Sequence, residues 1–76
     1  MQTINDEITE VQAAVVALKD VRLMLLGGVY RAGNDGAVVA MRVVEKMMQA
    51  DLIRRVGSGM YELTLTGKKM AREGGQ

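Results

Sequence analysis

The side chains of this chain that could take part in chemistry are mostly cations, and they are concentrated in its second half. Residues 42–72 hold seven lysines and arginines against three carboxylates, whereas residues 1–41 hold three cations against five carboxylates. Such an excess indicates a surface that binds phosphate, although a merely solvated surface has it too. The cations of the second half are Arg42, Lys46, Arg54, Arg55, Lys68, Lys69 and Arg72.

Catalysis is not expected from these residues. The chain has no histidine and no cysteine, so it lacks the usual general base, the commonest metal ligand and any thiolate site. Its carboxylates, lysines, tyrosines and Ser58 show no spacing that would place an acid and a base in one cleft. The sequence therefore predicts no enzyme, no catalytic residue, no metal site and no cofactor.

The length of 76 residues predicts one domain over residues 1–76, near the lower limit at which a single core is stable. Hydrophobic residues make up 49% of the chain and supply that core. The N-terminus has no basic leader, and no apolar run reaches the roughly 18 residues that span a membrane. We expect a cytoplasmic protein without a membrane segment.

The first element is predicted to be a helix over about residues 4–18. Its apolar side chains recur at steps of four and three, which is the spacing of one helical stripe. The stripe is also similar to a heptad repeat, so it suits a dimer contact as well as the core of one domain. We expect a homodimer, with this helix as its natural contact. The stripe consists of Ile4, Ile8, Val11, Val15 and Leu18.

Residues 19–33 allow two interpretations. Asp20 can cap a second helix in which Gly27-Gly28 permits a close helix crossing, or the two glycines end one long first helix at Leu26. The sequence does not decide whether these glycines break the second helix. Gly33-Asn34-Asp35-Gly36 predicts a tight turn, because its residues tolerate left-handed conformations.

The second half of the chain gives clearer local signals. Residues 37–50 are predicted to be helical, with one narrow polar stripe on an otherwise apolar surface. Two strands, Ile53–Val56 and Met60–Leu65, are predicted around the turn Gly57-Ser58-Gly59. Thr64 or Thr66 can then cap a short final helix. The polar stripe consists of Arg42, Glu45, Lys46 and Gln49.

Over residues 36–73, this order of turn, helix, hairpin and helix resembles the winged helix-turn-helix family. The most specific parts are Ala50-Asp51-Leu52-Ile53-Arg54-Arg55 and Tyr61-Glu62-Leu63-Thr64-Leu65-Thr66-Gly67. The resemblance implies a mainly α fold with three helices, a two-stranded wing and a short C-terminal helix. It also implies a transcriptional regulator that binds double-stranded DNA. Residues 25–33 depart from the family's pattern, since a well-formed, capped second helix is usual there.

The resemblance assigns a role to each polar residue of this region. Helix 37–50 would enter the major groove, where Arg42 is the best candidate for a base edge. The wing would meet phosphates or the adjacent minor groove, and the last helix would reach the DNA backbone. The implied DNA contacts are Arg42, Lys46 and Gln49 on the helix, Arg54, Arg55 and Ser58 on the wing, and Lys68 and Lys69 on the last helix. The residues do not indicate the target sequence, the direction of regulation or an effector.

A protein-binding adaptor or inhibitor is the alternative function, because a fold does not fix what it binds. The nearly neutral total charge, the sparse polar stripe and the methionines of helix 37–50 suit a protein partner. The deciding feature is whether Arg42, Lys46, Arg54 and Arg55 form one continuous positive surface. Interruption of that surface by Glu45, Asp51 or Glu62 would favour the protein-binding alternative.

Overall fold

The computed structural model describes residues 3–74, and their side chains from residue 9 to residue 73. Five antiparallel strands form one sheet in the order β3-β2-β1-β5-β4, and three helices pack on it. The elements are α1 (Thr3–Ala17), β1 (Leu23–Leu26), β2 (Val29–Ala32), β3 (Val38–Val39), α2 (Met41–Gln49), β4 (Ile53–Gly57), β5 (Met60–Leu63) and α3 (Leu65–Gly74).

The predicted fold class, a mainly α winged helix-turn-helix with a two-stranded wing, is wrong. The chain forms a small α+β domain, and both helical interpretations of residues 19–33 fail. Gly27 and Gly28 have φ angles of +59° and +80°, which is the left-handed pair of a type I′ turn. This turn matches the twist of paired strands, so the glycines join β1 to β2 instead of interrupting a helix. Leu26 pairs with Val29 across the turn.

The first helix is confirmed as α1, although it ends at Ala17. Val15 and Leu18 are buried in the core, and Val11 packs against it. These side chains of the stripe therefore pack inside the domain. The side chains of Ile4 and Ile8 lie outside the described residues.

Helix α2 is shorter than predicted, because Val38–Val39 pairs with β2 as an edge strand before the helix begins at Met41. The helix ends in a Schellman motif, in which Leu52 N–H donates to the Met47 carbonyl and Asp51 N–H to the Met48 carbonyl. Asp51 has a φ of +59°, so it occupies the left-handed position that glycine usually takes. The motif turns the chain from α2 into β4.

The predicted hairpin and final helix are confirmed, with a change of boundary. Strand β5 ends at Leu63 rather than Leu65, because Thr64 caps α3. Its Oγ1 accepts a hydrogen bond from Gly67 N–H at 3.1 Å and donates one to the Asp51 carbonyl at 2.6 Å. Thr64 therefore ties the start of α3 to the end of α2.

The strand register divides the sheet into two faces. The helix face packs under α1, α2 and α3 and holds the buried strand side chains of the core. The other face, which we call the open face, receives the alternate side chains. The buried strand residues of the helix face are Leu23, Ala32, Val39, Ile53 and Leu63. The open face presents Met24, Leu26, Val29, Arg31, Val38, Arg54, Met60 and Glu62. Arg22, just before β1, is counted with this face because it pairs with Glu62.

Candidate functional site

The open face carries five neighbouring apolar side chains, which we call the apolar strip. Arg31 pairs with Val38 and Met24, and Met24 pairs with Met60, so the strip crosses four strands. Directly opposed side chains in a sheet lie about 5 Å apart, so Met24 adjoins Met60, and Leu26 adjoins Val29. The side chain of Arg31 lies between Val38 and Met24. No described helix covers the strip, and Val38 remains 57% exposed. The apolar strip consists of Met24, Leu26, Val29, Val38 and Met60.

Beside the apolar strip lies a charged row formed by Arg22, Glu62 and Arg54. Arg54 Nη2 is 2.9 Å from Glu62 Oε2 across the β4–β5 pair, and Arg22 Nε is 3.9 Å from Glu62 Oε1. The hydrogen bond from Arg54 lowers the pKa of the Glu62 carboxyl, and the charges of Arg54, Arg22 and Lys68 act in the same direction. One carboxylate is thus shared by several cations.

Arg31 lies within the apolar strip, between Val38 and Met24. Its Nη1 donates to the Gly36 carbonyl at 3.3 Å. A guanidinium has five N–H donors, so this single carbonyl leaves most of them available. With the three arginines and Glu62, the open face has an excess of positive charge.

A surface depression of about 270 Å³ adjoins the charged row. Three cations and two carboxylates line it, together with apolar side chains at its base. It lies between the end of α1, the segment before β1 and the start of α3. The lining residues are Leu18, Lys19, Asp20, Val21, Arg22, Glu62, Leu63 and Lys68.

Arg42, the predicted base-edge contact, is bound to α1. Its Nη1 and Nη2 donate to the two carboxylate oxygens of Glu10 at 3.0 Å and 2.8 Å. Paired forks of this kind give an arginine a defined geometry. Lys46 and Gln49 are exposed farther along α2. All three residues belong to the helical layer.

The two wing arginines lie on opposite faces of the sheet. Arg54 is on the open face with Glu62, whereas Arg55 shares the helix face with Tyr61 and donates from Nε to the Gly57 carbonyl at 3.2 Å. Ser58 is exposed in the turn between β4 and β5.

Lys68 and Lys69 are exposed on α3, and only Lys68 lines the depression. The structure therefore brings Arg54 and Lys68 together but separates them from Arg42 and Arg55. Glu62, one of the carboxylates named above, interrupts the predicted positive surface at Arg54. Glu10 interrupts it at Arg42, a contact that the sequence did not indicate.

Tyr30 and Tyr61 pack as an edge-to-face pair on the helix face, with ring centroids 6.0 Å apart. Burial raises the pKa of Tyr30, and the neighbouring Tyr61 hydroxyl acts in the same direction. Both rings pack against the core. The perturbed pKa of Tyr30 therefore follows from structural packing.

Sequence reasoning missed the apolar strip, together with Arg22 and Arg31. The available signal was Gly27-Gly28 between two four-residue apolar segments, which is a hairpin pattern. Once that hairpin is drawn, alternation places Met24, Leu26 and Val29 on one face.

A metal-ligand cluster and a membrane-spanning helix are both absent from residues 3–74. No group of three or more carboxylates in this part of the chain could hold a metal ion. None of the helices described there is both long and apolar enough to cross a membrane.

The fold and surface define a class of domain in which helices cover one face of an antiparallel sheet and the other face is open. We compared the chain with protein-family models, curated proteins and solved structures, and none of them matched.

Proposed function

We propose that this protein is a small protein-binding module that docks a partner on its open face. The observation that supports the proposal most strongly is the apolar strip, which extends over four strands while all three helices pack on the other face. Scattered apolar residues on a surface are ordinary, but a contiguous patch marks an interaction site. The carboxylates that interrupt the predicted positive surface, Glu10 and Glu62, also favour a protein partner over DNA.

The composition of the open face also supports a protein partner. It combines two methionines and three arginines with aliphatic side chains, and the five strands contain no lysine. Methionine and arginine are enriched at protein–protein interfaces, whereas lysine is depleted. Leu26 and Val29 are 41% and 38% exposed. Completing their burial would contribute on the order of 1 kcal/mol for each side chain.

Site-specific photo-crosslinking in the cells that express the protein tests this proposal. A benzophenone amino acid replaces Val38 or, separately, Leu26, and the matched control position is Gln12, which is exposed on α1. We expect a discrete adduct from both open-face positions and none from Gln12. The captured protein is then purified, and its affinity should fall at least tenfold with Val38→Asp, which buries a charge in the interface. Identical adducts from all three positions would contradict the proposal.

DNA binding, the function that the family resemblance implies, is our second candidate. It is favoured by the cations of the depression and of the adjoining charged row, which outnumber the two carboxylates there. These cations are Lys19, Arg22, Arg54 and Lys68. Phosphate contacts need positive charge but no apolar surface. A regulator of this kind would contact the DNA backbone through the charged row and α3.

A salt series with random-sequence duplex DNA tests this second candidate. Arg54→Ala and Arg55→Ala are matched variants, because the two arginines are adjacent in β4 but lie on opposite faces. Backbone contact through the charged row should weaken with salt, and the dependence should become shallower in Arg54→Ala while Arg55→Ala stays near wild type. Absence of binding at low salt would eliminate the candidate.

A further inference from the structure

We propose that the partner of the open face is an acidic amphipathic helix of another protein. This inference rests on the protein-binding function proposed above and specifies its ligand. It follows from the size of the apolar strip, from the sign of the charge around it and from the position of Arg31 within it.

The size of the strip fits a single helix. Neighbouring strands lie about 4.8 Å apart and rise about 3.3 Å per residue, so four strands of up to four residues span roughly 15 Å by 13 Å. An α-helix with its side chains is about 10–12 Å wide, so one helix laid along the longer dimension covers most of this strip. A stable dimer between globular surfaces buries about 800 Å² per partner, which is more than the strip offers.

The geometry of the backbone disfavours an extended peptide as the occupant. A peptide strand finds partners for its N–H and C=O groups only at the edge of a sheet. Placed over the open face, it would leave those groups without partners. A helix satisfies its own backbone and can present apolar side chains to the strip.

The charge of the open face disfavours a second copy and favours a carboxylate-bearing partner. Arg22 and Arg54 share one carboxylate, Glu62. Arg31 adds a third positive charge and donates to a backbone carbonyl. Two copies packed through this face would bring two positively charged surfaces together, which is unfavourable. An acidic helix would instead bring negative charge to this surface.

Arg31 gives the partner a defined contact point. Its side chain lies in the same cross-strand row as Val38 and Met24, and its bond to the Gly36 carbonyl leaves donors for a carboxylate. A paired guanidinium–carboxylate contact is stronger and more directional than a bond to a neutral acceptor. The partner therefore carries a glutamate or aspartate beside the apolar residues that cover Val38 and Met24.

The test uses three synthetic helical peptides of about 16 residues, roughly 24 Å long. They share one leucine face and carry glutamate, glutamine or lysine on its flanks. Fluorescence anisotropy measures their binding to the full chain. We expect the glutamate peptide to bind at least tenfold more tightly than the lysine peptide.

Variants assign the contact to the open face. Arg31→Gln should weaken the glutamate peptide about tenfold and leave the glutamine peptide unchanged, because only the charge-assisted contact is lost. Val38→Asp should abolish binding of all three peptides. Lys69→Gln removes an exposed cation of α3 and should have no effect. A melting temperature for each variant verifies that it is folded.

The outcomes separate this inference from the proposed function. Equal binding of the glutamate and glutamine peptides, or no effect of Arg31→Gln, would overturn the acidic partner and leave protein binding by the open face in place. Sedimentation that shows a dimer lost in Val38→Asp would overturn it in favour of a second copy. Displacement of the peptide by duplex DNA in an Arg54-dependent way would overturn it in favour of nucleic acid. Failure of all three peptides to bind would overturn the helix as ligand, and the crosslinking experiment would then decide the proposed function independently.

Discussion

The two faces of the sheet use adjacent residues for different purposes. Leu23 and Met24 are neighbours in β1, yet Leu23 is 0% exposed under the helices while Met24 lies half-buried on the open face. Because side chains alternate along a strand, one short segment supplies both the core and the candidate binding surface. Substitutions on the helix face should change stability, and substitutions on the open face should change binding.

Unlike the two faces of the sheet, the ion pairs of the helical layer and of the sheet lie in similar surroundings. Arg42 with Glu10 joins two helices, and Arg54 with Glu62 joins two strands, and both pairs are exposed. Exposed ion pairs contribute about 0–1 kcal/mol. Neither pair is a strong determinant of the fold, so Arg54 can exchange Glu62 for another anion at little cost.

The largest expected difference between the faces is that between Leu23→Ala and Met24→Ala. Leu23→Ala leaves a cavity in the core and should lower the free energy of unfolding by about 2–5 kcal/mol. Met24→Ala removes a side chain that keeps contact with water and should cost less than about 1 kcal/mol. Urea unfolding followed by circular dichroism measures both. An equally large loss in Met24→Ala would mean that the open face is covered in the isolated protein.

Gly67→Ala tests the packing of α3 under the helix face, and its effect should be intermediate. A Cβ at Gly67 would overlap the backbone carbonyl oxygen of Leu52 and would approach Leu63 Cδ2 to 3.0 Å. Overpacking against backbone costs roughly 1–3 kcal/mol, which exceeds the helix propensity that alanine gains. Thermal unfolding measures the loss, and Lys69→Ala on the exposed side of α3 is the control. A melting temperature equal to that of the control would show that α3 moves freely on the sheet.

Much of the chain after residue 40 could be predicted because its signals are local. The polar stripe of α2, the Gly-Ser-Gly turn and the Thr64 cap each involve residues within about one helical turn or one hairpin. The predicted alternation within β5 is confirmed: Tyr61 and Leu63 lie on one face of the sheet, and Met60 and Glu62 lie on the other. The cross-strand pair of Arg54 with Glu62 follows from the same register.

The prediction for residues 19–33 is wrong because β1 is apolar on both faces. Leu23-Met24-Leu25-Leu26 has no polar alternation, so its period does not distinguish a strand from a helix. The pairing of β1 with β5 joins residues far apart in the chain, which no local pattern indicates. The contact of Arg42 with Glu10, 32 residues apart, is beyond local patterns for the same reason. These two contacts decide which cations share a surface.

A smaller change in the free energy of unfolding is expected from a substitution at Asp51, where the chain turns from α2 into β4. Asp51 holds a left-handed φ of +59°, and Asp51→Gly would remove the steric cost of its Cβ there. The unfolded chain gains freedom from the glycine, so the net stabilisation should be about 0.5–1 kcal/mol. The Thr64 contact is kept, because it uses the backbone carbonyl of residue 51. Urea unfolding measures the gain, and Asp35→Gly in the exposed turn is a control that should not stabilise. A loss of stability in Asp51→Gly would indicate that the aspartate side chain has an unrecognised contact.

The smallest expected effect is the pH dependence that Glu62 gives to the open face. Its pKa is lowered in the folded state, chiefly by the hydrogen bond from Arg54. Glu62 therefore contributes stability above the pKa of an unfolded glutamate, and this contribution disappears as the pH falls through the folded value. The gap in melting temperature between wild type and Glu62→Gln should narrow over that interval, and it should be small throughout because the carboxyl is exposed.

An NMR titration of the Glu62 carboxyl provides the direct measurement. Its midpoint should lie below the ordinary glutamate value and should move back toward it in Arg54→Gln, while Arg55→Gln on the other face leaves it unchanged. A midpoint at or above the ordinary value would contradict the charged row as described.

Below the midpoint, the three arginines of the open face have no carboxylate among them. The affinity of the glutamine-flanked peptide should then remain constant, because the apolar strip does not titrate, and this invariance would separate the contribution of the strip from that of the charge.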